Sequence, residues 1–399
     1  MAIDDMKHQF SYDTEVTRQG AYVTRPADHP EAIPIYLTTA FNVPDTDALL
    51  ARYDAKGFCY NRSSNPNRIS LAELMTYLEQ GEDSLICSSG MAAITTSLLS
   101  NVQSGDHILS DHTLYGETLV VFSRIMKKFG VEYTCVDMTN LEEVRANIKP
   151  NTRILYSETA TNPTIRVADI KGLADIAHAK GALLIIDNTF LTSYAVRPIA
   201  LGADIVVNSL TKFGNGHSDA VCGSITSTAE MIRNCNSYLQ LLGSVADAFT
   251  CYMTERGLRT LTLRMEKQMA NAEKLAAALA ANPHIAKVNH PSLADHPQHA
   301  LAKSQFNGRY GAMMSFEVKE DNMDKLNAFM RKLEFVHYAM TLGGFRTTYQ
   351  HPCSSSHHGF TPEEQALMGV SPRMIRVSCG IEDADDLIHD FTQALTVFD

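Results

Sequence analysis

The sequence predicts an α/β fold in which a central, mainly parallel β-sheet is followed by a smaller α+β domain. Seven short runs rich in Ile, Val and Leu recur between residues 83 and 226, and roughly 10 to 20 residues of helical pattern separate them. Apolar runs of this kind are typical of strands that are buried on both faces of a parallel sheet. Ligands of such sheets bind at the carboxyl ends of the strands, so we expect functional residues directly after the runs.

The predicted strands and crossover helices alternate in chain order. The strands correspond to the runs DSLICSS, HILS, EYTCVD, RILYSE, LLIIDN, DIVVNS and AVCGSIT. Helical patterns begin near Met91, Thr118, Leu141 and Asp169. They supply the connections that parallel neighbouring strands require.

The C-terminal third of the chain has a different pattern. Apolar residues three or four apart predict one core-facing helix over about residues 253–281. The runs GAMMSFEV and RMIRVSCG, with helical patterns at NMDKLNAFMRKL and from Glu382, then predict a smaller α+β domain. We therefore expect an N-terminal arm over residues 1–62, a large domain over 63–255 and a C-terminal domain over 256–399.

Composition excludes several classes of protein. The 399-residue chain carries 34 basic and 45 acidic side chains, a net charge of −11, which argues against non-specific nucleic-acid binding. No apolar run approaches the roughly 20 residues that span a bilayer, and the N-terminus lacks a signal-peptide pattern. The eight cysteines are scattered without a CxxC pair, as in reduced thiols. We expect a cytoplasmic protein with no metal site, membrane segment or nucleic-acid partner.

One lysine follows a predicted strand in a setting suited to covalent chemistry. Lys212 lies in SLTKFGNGHSD, directly after DIVVNS, between two hydroxyl residues and two glycines. A partly desolvated lysine amine can be deprotonated near neutral pH and form a Schiff base with an aldehyde. Ser209 and Thr211 are placed to donate hydrogen bonds to a phosphate. On this stretch alone, a surface lysine in a turn explains the pattern equally well.

Two further strand ends favour the chemical interpretation. Asp187 ends LLIID, the most apolar run, where a buried carboxylate needs a cationic partner or hydrogen bonds. A protonated pyridine nitrogen would be such a partner. Ser88-Ser89-Gly90-Met91 follows DSLIC and opens a helical pattern, whose N-terminal amides could hold a phosphate.

In this order, the cradle, the acid and the lysine resemble pyridoxal 5′-phosphate (PLP) enzymes of fold type I, the aspartate aminotransferase-like transferases. Further motifs are similar to the Cys/Met-metabolism PLP-dependent family from about residue 15 to the end. They are YNRSSNPNR, SSGMAA, DHTLYGET, ETATNPT, DNTF, SLTKFGNGHSD, RVSCGIED and TLGG followed by QHP. The family includes cystathionine γ-synthase, cystathionine lyases, methionine γ-lyase and canavanine γ-lyases.

The resemblance implies roles for individual residues of this chain. Lys212 would hold PLP and move protons, with Tyr115 stacking on the ring and protonating the leaving group. The large domain would bind PLP, and the arm would bring Tyr60 and Arg62 to a neighbouring subunit's phosphate, in a homotetramer made of two active-site-sharing dimers. The other implied cofactor contacts are Gly90, Met91, Asp187, Thr189, Ser209 and Thr211. The implied substrate contacts are Arg376 for the α-carboxylate, Asn162 and Thr341.

Two departures from better-known members bear on the substrate. Glu117 stands where methionine γ-lyases usually have a cysteine, and Arg346 stands where cystathionine γ-lyases usually have a glutamate. A carboxylate gains nothing beside a neutral thiomethyl group, but it could pair with a guanidinium-like group. We therefore predict a PLP-dependent γ-lyase acting on a cationic γ-substituted amino acid, best matched by canavanine. A Glu117–Arg346 ion pair, or an Arg346 that faces solvent, are alternatives.

The sequence is also compatible with other functions. Methionine or homocysteine γ-lysis, a cystathionine γ-lyase and a γ-synthase-type transferase share every cofactor residue. The predicted α,γ-elimination could yield 2-oxobutanoate and ammonia, or homoserine. A non-catalytic PLP-binding regulator would be expected to lack Lys212 or to carry a DNA-binding domain, and the sequence has the lysine but no spare basic domain.

Overall fold

The structure is a computed structural model that describes residues 11–18, 30–55 and 57–399. Its strands, β1 to β12 in chain order, are Asp83–Cys87, His107–Asp111, Glu132–Val136, Thr152–Glu158, Leu183–Asp187, Ile205–Asn208, Gly223–Ser227, Ile285–Asn289, Met313–Val318, His337–Tyr338, Thr348–Gln350 and Met374–Ser378. Its α-helices, α1 to α15 in chain order, are Tyr12–Arg18, Thr46–Asp54, Pro66–Glu79, Gly90–Leu99, Gly116–Val120, Leu141–Asn147, Ile170–His178, Thr192–Ala195, Ala229–Leu242, Ala248–Leu258, Leu261–Ala280, His299–Gln305, Met323–Lys332, Pro362–Leu367 and Ala384–Leu395.

A seven-stranded sheet forms the larger part of the fold. Its strand order is β1-β7-β6-β5-β4-β2-β3, and β7 runs antiparallel to both of its neighbours. The pairs from β6 to β3 are all parallel. Successive side chains of β4 enter opposite apolar layers, Leu155 on one face and Ile154 and Tyr156 on the other. The sheet is thus covered on both faces, which the continuous apolar runs predict.

A second sheet of five strands, in the order β10-β11-β12-β9-β8, forms the C-terminal part. Its pairs are antiparallel except for β10 with β11. Phe316, Phe329 and Phe391 lie at the centre of its core, with ring centroids 6.1 to 6.3 Å apart. The predicted fold class, a mainly parallel central sheet with a smaller α+β part, is confirmed.

One predicted element is wrong in its extent. The helix expected over about residues 253–281 is instead two helices, because the helical conformation is interrupted between α10 and α11. The Gly257 carbonyl accepts from Thr260 N and from Arg264 Nη2, at 3.2 and 2.9 Å, instead of continuing the helical ladder. Gly257 also lies so close to Asn215 that an added Cβ would be 2.2 Å from the Asn215 carbonyl oxygen.

The structure describes the start of the chain only in part. The predicted arm over residues 1–62 lies partly outside the described residues, and its described parts contain α1 and α2. No helix within the described ranges has the length and apolar character needed to cross a bilayer.

Candidate active site

A pocket of about 420 Å³ lies at the carboxyl ends of the parallel strands, a size typical of small-molecule sites. Its walls come from the segments that follow β1, β2, β4, β5 and β6, and from the smaller C-terminal sheet. The residues are Ser89, Gly90, Met91, Ile94, Tyr115, Glu117, Glu158, Ala160, Asn162, Asp187, Thr189, Phe190, Ser209, Thr211, Lys212, Val221, Met340, Thr341, Leu342, Gln350, Ser355, Ser356 and Arg376. Twelve of the residues singled out in the sequence are among them, so one site contains chain segments as distant as residues 90 and 376.

The predicted phosphate cradle lies where α4 begins. Ser89 caps this helix by accepting from Ala92 N at 3.0 Å, and the first amides of a helix have no partner within it. A Cβ on Gly90 would lie 2.6 Å from Ser209 Cβ, so only glycine lets the two segments approach this closely. The cradle therefore combines helix N–H groups with the Ser209 hydroxyl, which suits an anion.

The hydroxyl of one predicted cradle residue, Thr211, already has hydrogen-bond partners within the protein. The Thr211 hydroxyl donates to the Cys222 carbonyl at 3.1 Å and accepts from Cys222 N at 3.0 Å. In this conformation its proton is not available to a phosphate, although Thr211 lines the pocket.

Asp187 ends β5 with its carboxylate at the pocket wall. Its Oδ1 accepts from Thr189 N at 2.9 Å, and none of the ion pairs in the described ranges includes it. Burial raises the pKa of Asp187. A cation at the pocket floor would favour the ionised carboxylate, so the site fits a protonated ring nitrogen such as that of PLP.

Thr189 joins the ends of two neighbouring strands. Its hydroxyl oxygen accepts from Ser209 N at 2.8 Å, while its own N–H donates to Asp187. The acid after β5 and the hydroxyl after β6 are thus fixed relative to one another.

Lys212 lies in the turn after β6 and reaches into the same pocket. Its Nζ donates to Thr341 Oγ1 at 3.4 Å. Burial, with the nearby Arg376 charge, lowers the pKa of Lys212 to about 8. A minor but appreciable fraction of the amine is therefore neutral near physiological pH, and only this neutral form is a nucleophile toward an aldehyde.

The TLGG segment approaches Lys212 from the smaller sheet. Gly343 has φ +76°, and an added Cβ would lie 2.5 Å from Phe213 N and 2.8 Å from the Lys212 carbonyl carbon. Both the backbone conformation and the close contact require glycine. This contact places Thr341 beside the amine.

Arg376 is the buried cation of the site. It lies on β12, 4% exposed, and donates from Nη1 to Asn162 Oδ1 and from Nη2 to the Thr341 carbonyl, both at 3.1 Å. Nη2 also contacts Gln350 Oε1, and Nε has no partner in the described part of the chain. Its partners are all neutral, so the guanidinium retains an uncompensated charge that could bind a carboxylate.

Tyr115 and Glu117 form the outer wall. Tyr115 immediately precedes α5 and is 38% exposed. Burial of its ring and the neighbouring Glu117 charge raise the pKa of Tyr115, which keeps its hydroxyl protonated. Glu117 is exposed, and none of the described ion pairs or side-chain hydrogen bonds includes its carboxylate.

Three predicted residues lie outside this chain's pocket. Arg346 is exposed, with its guanidinium carbon 5.0 Å from the Phe345 ring centroid, and it does not line the pocket. The alternative Glu117–Arg346 ion pair is absent from the described residues. Tyr60 is 49% exposed, and Arg62 donates to the Gln240 carbonyl at 2.9 Å.

Some polar residues that line the pocket are not among the site residues predicted from the sequence. Glu158 ends β4, and Gln350, Ser355 and Ser356 follow or end β11. The rule that functional residues follow parallel strands could have identified Glu158, which stands within ETATNPT. No signal in the sequence indicates which way the serine loop faces.

Comparisons with known proteins identify the family of the chain. A family model described as Cys/Met metabolism PLP-dependent enzyme matches residues 13–396. L-methionine gamma-lyase of Fusobacterium nucleatum subsp. polymorphum is 37% identical over 369 residues, which cover 91% of this chain and 93% of that protein. Cystathionine gamma-lyase of Bacillus subtilis is 38% identical over 365 residues, 91% of this chain and 94% of that protein.

Solved structures are similar over nearly the whole chain. Cystathionine gamma synthase from Xanthomonas oryzae pv. oryzae matches with a TM-score of 0.93 and 33% identity over 98% of this chain and 99% of that one. A Campylobacter jejuni protein proposed to be an O-acetylhomoserine (thiol)-lyase matches with a TM-score of 0.91 and 29% identity, over 97% and 100%, and carries an N′-pyridoxyl-lysine-5′-monophosphate. The chain belongs to the Cys/Met-metabolism family of PLP-dependent enzymes, and its cofactor is PLP.

Proposed function

We propose that this enzyme is a γ-lyase that removes a cationic, oxygen-linked γ-substituent from an L-amino acid, with canavanine as its substrate. The observation that carries the proposal is Glu117, a pocket-lining carboxylate with no ion-pair partner among the described residues. A carboxylate can bind a guanidinium-like group through two parallel hydrogen bonds. Beside a neutral thioether it would lose hydration without compensation.

The surroundings of Glu117 support a polar γ-group. Ser355 and Ser356 line the same pocket, and their loop packs against the turn that carries Glu117. A Cβ on Gly116 would lie 2.5 Å from the Ser356 carbonyl oxygen, so the two segments are in close contact. The outer pocket thus places the Glu117 carboxylate beside a serine loop, in which the Ser355 hydroxyl is held by Gln350 Nε2 and the His351 carbonyl.

Arg376 and Glu117 would orient the substrate between them. The buried guanidinium, with Asn162 and Thr341 beside it, would bind the α-carboxylate. The cationic γ-group would then point toward Glu117. Opposite charges at the two ends of the pocket favour a substrate with an anionic head and a cationic tail.

Lys212 and Tyr115 would perform the proton transfers. PLP would be held by Lys212, Asp187 and the cradle of Gly90, Met91 and Ser209, and it would supply an electron sink for α,γ-elimination. Thr211 would join the cradle if its hydroxyl left the Cys222 carbonyl. The Lys212 amine, with its pKa lowered to about 8, can accept a substrate proton and return it. The protonated Tyr115 hydroxyl would donate to the departing γ-oxygen.

Methionine γ-lysis is the second candidate function, because several similar proteins are named L-methionine gamma-lyase at 37% to 38% identity. Cystathionine γ-lysis and γ-replacement follow for the same reason. These relatives support the shared chemistry of the cofactor, and the cationic γ-group is inferred from Glu117 alone.

We also propose that the enzyme is a cytoplasmic homotetramer whose residues 1–62 reach a neighbouring subunit. Tyr60 and Arg62 lie outside this chain's pocket, which is expected if they contribute to a partner's phosphate site. Large apolar side chains near them are exposed, including Leu37 at 75% and Leu241 at 86%. Contact with a second copy would remove this apolar surface from water.

A substrate panel tests the proposal. Canavanine, methionine, homocysteine, cystathionine and O-acetylhomoserine are assayed with the native enzyme, Glu117→Gln and Glu117→Cys, with and without an added thiol. We expect canavanine to have the highest native kcat/KM and Glu117→Gln to lower it about 10- to 100-fold, the value of a hydrogen bond to a charged group. Glu117→Gln should leave methionine nearly unchanged. Methionine as the best native substrate, with canavanine inert, would overturn the proposal.

A further inference from the structure

We propose that Glu158 is a positioning residue that holds the segment of Tyr115 and the segment of Asn162 at a fixed separation. Its carboxylate accepts from Tyr115 N at 2.7 Å through Oε1 and from Asn162 N at 3.0 Å through Oε2. One side chain therefore joins the loop after β2 to the turn after β4. The inference rests on the proposed roles of Tyr115 and Asn162, and it does not depend on the identity of the substrate.

Glu158 occupies a fixed place in the sheet. It is the last residue of β4, paired in register with Asp187 of β5, and it is 6% exposed. A side chain at the end of a central strand has little freedom to move with a loop. The two loops that it binds are thus anchored to the same rigid strand that places it beside Asp187.

The contacts extend from Glu158 to the far end of the pocket. Asn162, whose N–H donates to Glu158, accepts through Oδ1 from Arg376 Nη1 at 3.1 Å. Glu158 therefore lies between the tyrosine proposed to protonate the leaving group and the arginine proposed to bind the α-carboxylate. The Glu158 side chain therefore sets the distance between the two protein groups that would contact opposite ends of the substrate.

The charge chemistry of this position suits a bridging role. Burial and the adjacent Asp187 raise the pKa of Glu158, whereas the two backbone N–H groups oppose that shift. A buried acid in such a place is costly unless both oxygens are hydrogen-bonded. A glutamine would place its NH₂ group, which is only a donor, where one of the two carboxylate oxygens lies, so one of the two amides would lose its acceptor.

Amide hydrogen exchange of the holoenzyme tests the bridge directly. In Glu158→Gln we expect peptides covering residues 113–117, 160–164 or both to exchange about tenfold faster, because one hydrogen bond is lost. Glu79→Gln is the matched control, since Glu79 is an equally buried acid whose side chain binds Asn188 and Asn208 instead. It should leave those peptides unchanged. Native exchange rates in Glu158→Gln would overturn the proposal.

Kinetics distinguish positioning from general stability. With whichever panel substrate is fastest, Glu158→Gln should raise KM and lower kcat together, reducing kcat/KM about 10- to 100-fold. The loss in kcat should be smaller in a Tyr115→Phe background, because Glu158 acts through Tyr115. An equal loss in both backgrounds would contradict the bridge.

If Glu158→Gln does not fold, Glu158→Asp provides the same test. Its carboxyl group is kept, but the shorter side chain cannot reach both amides, so exchange at one of the two segments should increase. Unchanged exchange at both segments would contradict the inference. Failure of canavanine in the substrate panel would leave these outcomes unaffected, so the two proposals can fail independently.

Discussion

The inner and outer ends of the pocket are built differently. At the inner end, Asp187, Lys212 and Arg376 lie on or directly after strands, and each has named hydrogen-bond partners. At the outer end, Glu117 is exposed in the first turn of the short helix α5, and Met340 is exposed on a loop. From this contrast we expect the rigid sheet to fix the residues of the shared cofactor chemistry, and under our proposal the outer segments select the γ-group.

The largest effect is expected at Arg376, which we propose binds the substrate α-carboxylate at the inner end. Arg376→Lys should raise KM about 100-fold, because a point-charge amine cannot replace a planar guanidinium that binds Asn162, Thr341 and Gln350 at once. Steady-state kinetics measure this change. Arg373→Lys, a partly exposed arginine just before β12 that pairs with Glu317, is the control and should be near native. A native KM for Arg376→Lys would contradict the proposed difference between the inner and outer ends of the pocket.

An effect of intermediate size is expected from pH on the rate at which the cofactor-free protein binds PLP. In the cofactor-free protein, Lys212 with its pKa lowered to about 8 should be mostly protonated at pH 7 and mostly neutral at pH 9. Only the neutral amine attacks an aldehyde, so the rate of PLP binding should rise about tenfold across this range and then level off. Stopped-flow absorbance at several pH values measures it. A rate still rising steeply above pH 9 would show that the amine is not desolvated.

The smallest effect is expected at Arg346. Because this side chain is exposed and does not line the pocket, Arg346→Ala should change kcat/KM by less than about twofold for every substrate in the panel. The same assay on Glu117→Gln is the positive control at the outer end. A selective loss of canavanine turnover in Arg346→Ala would place Arg346 at the site and sharpen the description of the outer wall.

The sequence predicts the inner end well because strand pattern and chemistry coincide there. LLIID and DIVVN are apolar enough to identify buried strands. Asp187 is the last residue of the first run, and Lys212 lies four residues after the second. The parallel arrangement then brings their ends to one edge of the sheet. Local pattern and a single topological rule therefore predict that these residues lie close together, whereas their roles are predicted from the family resemblance.

Other features depend on contacts that a local pattern does not encode. The break between α10 and α11 follows from Arg264, which binds the Gly257 carbonyl and also the Phe213 carbonyl at 2.7 Å. The direction of Arg346 depends on how its loop packs. The position of Tyr115 depends on Glu158, a residue 43 positions away in the chain. Each of these requires the folded arrangement of distant segments.

The most direct test of the central claim is to identify the lysine that carries the cofactor. The native enzyme is reduced with borohydride and digested, and the phosphopyridoxylated peptide is sequenced by mass spectrometry. We predict the modification on Lys212 and on no other lysine. An unmodified Lys212, with the group on a different lysine, would contradict the active site described for this enzyme.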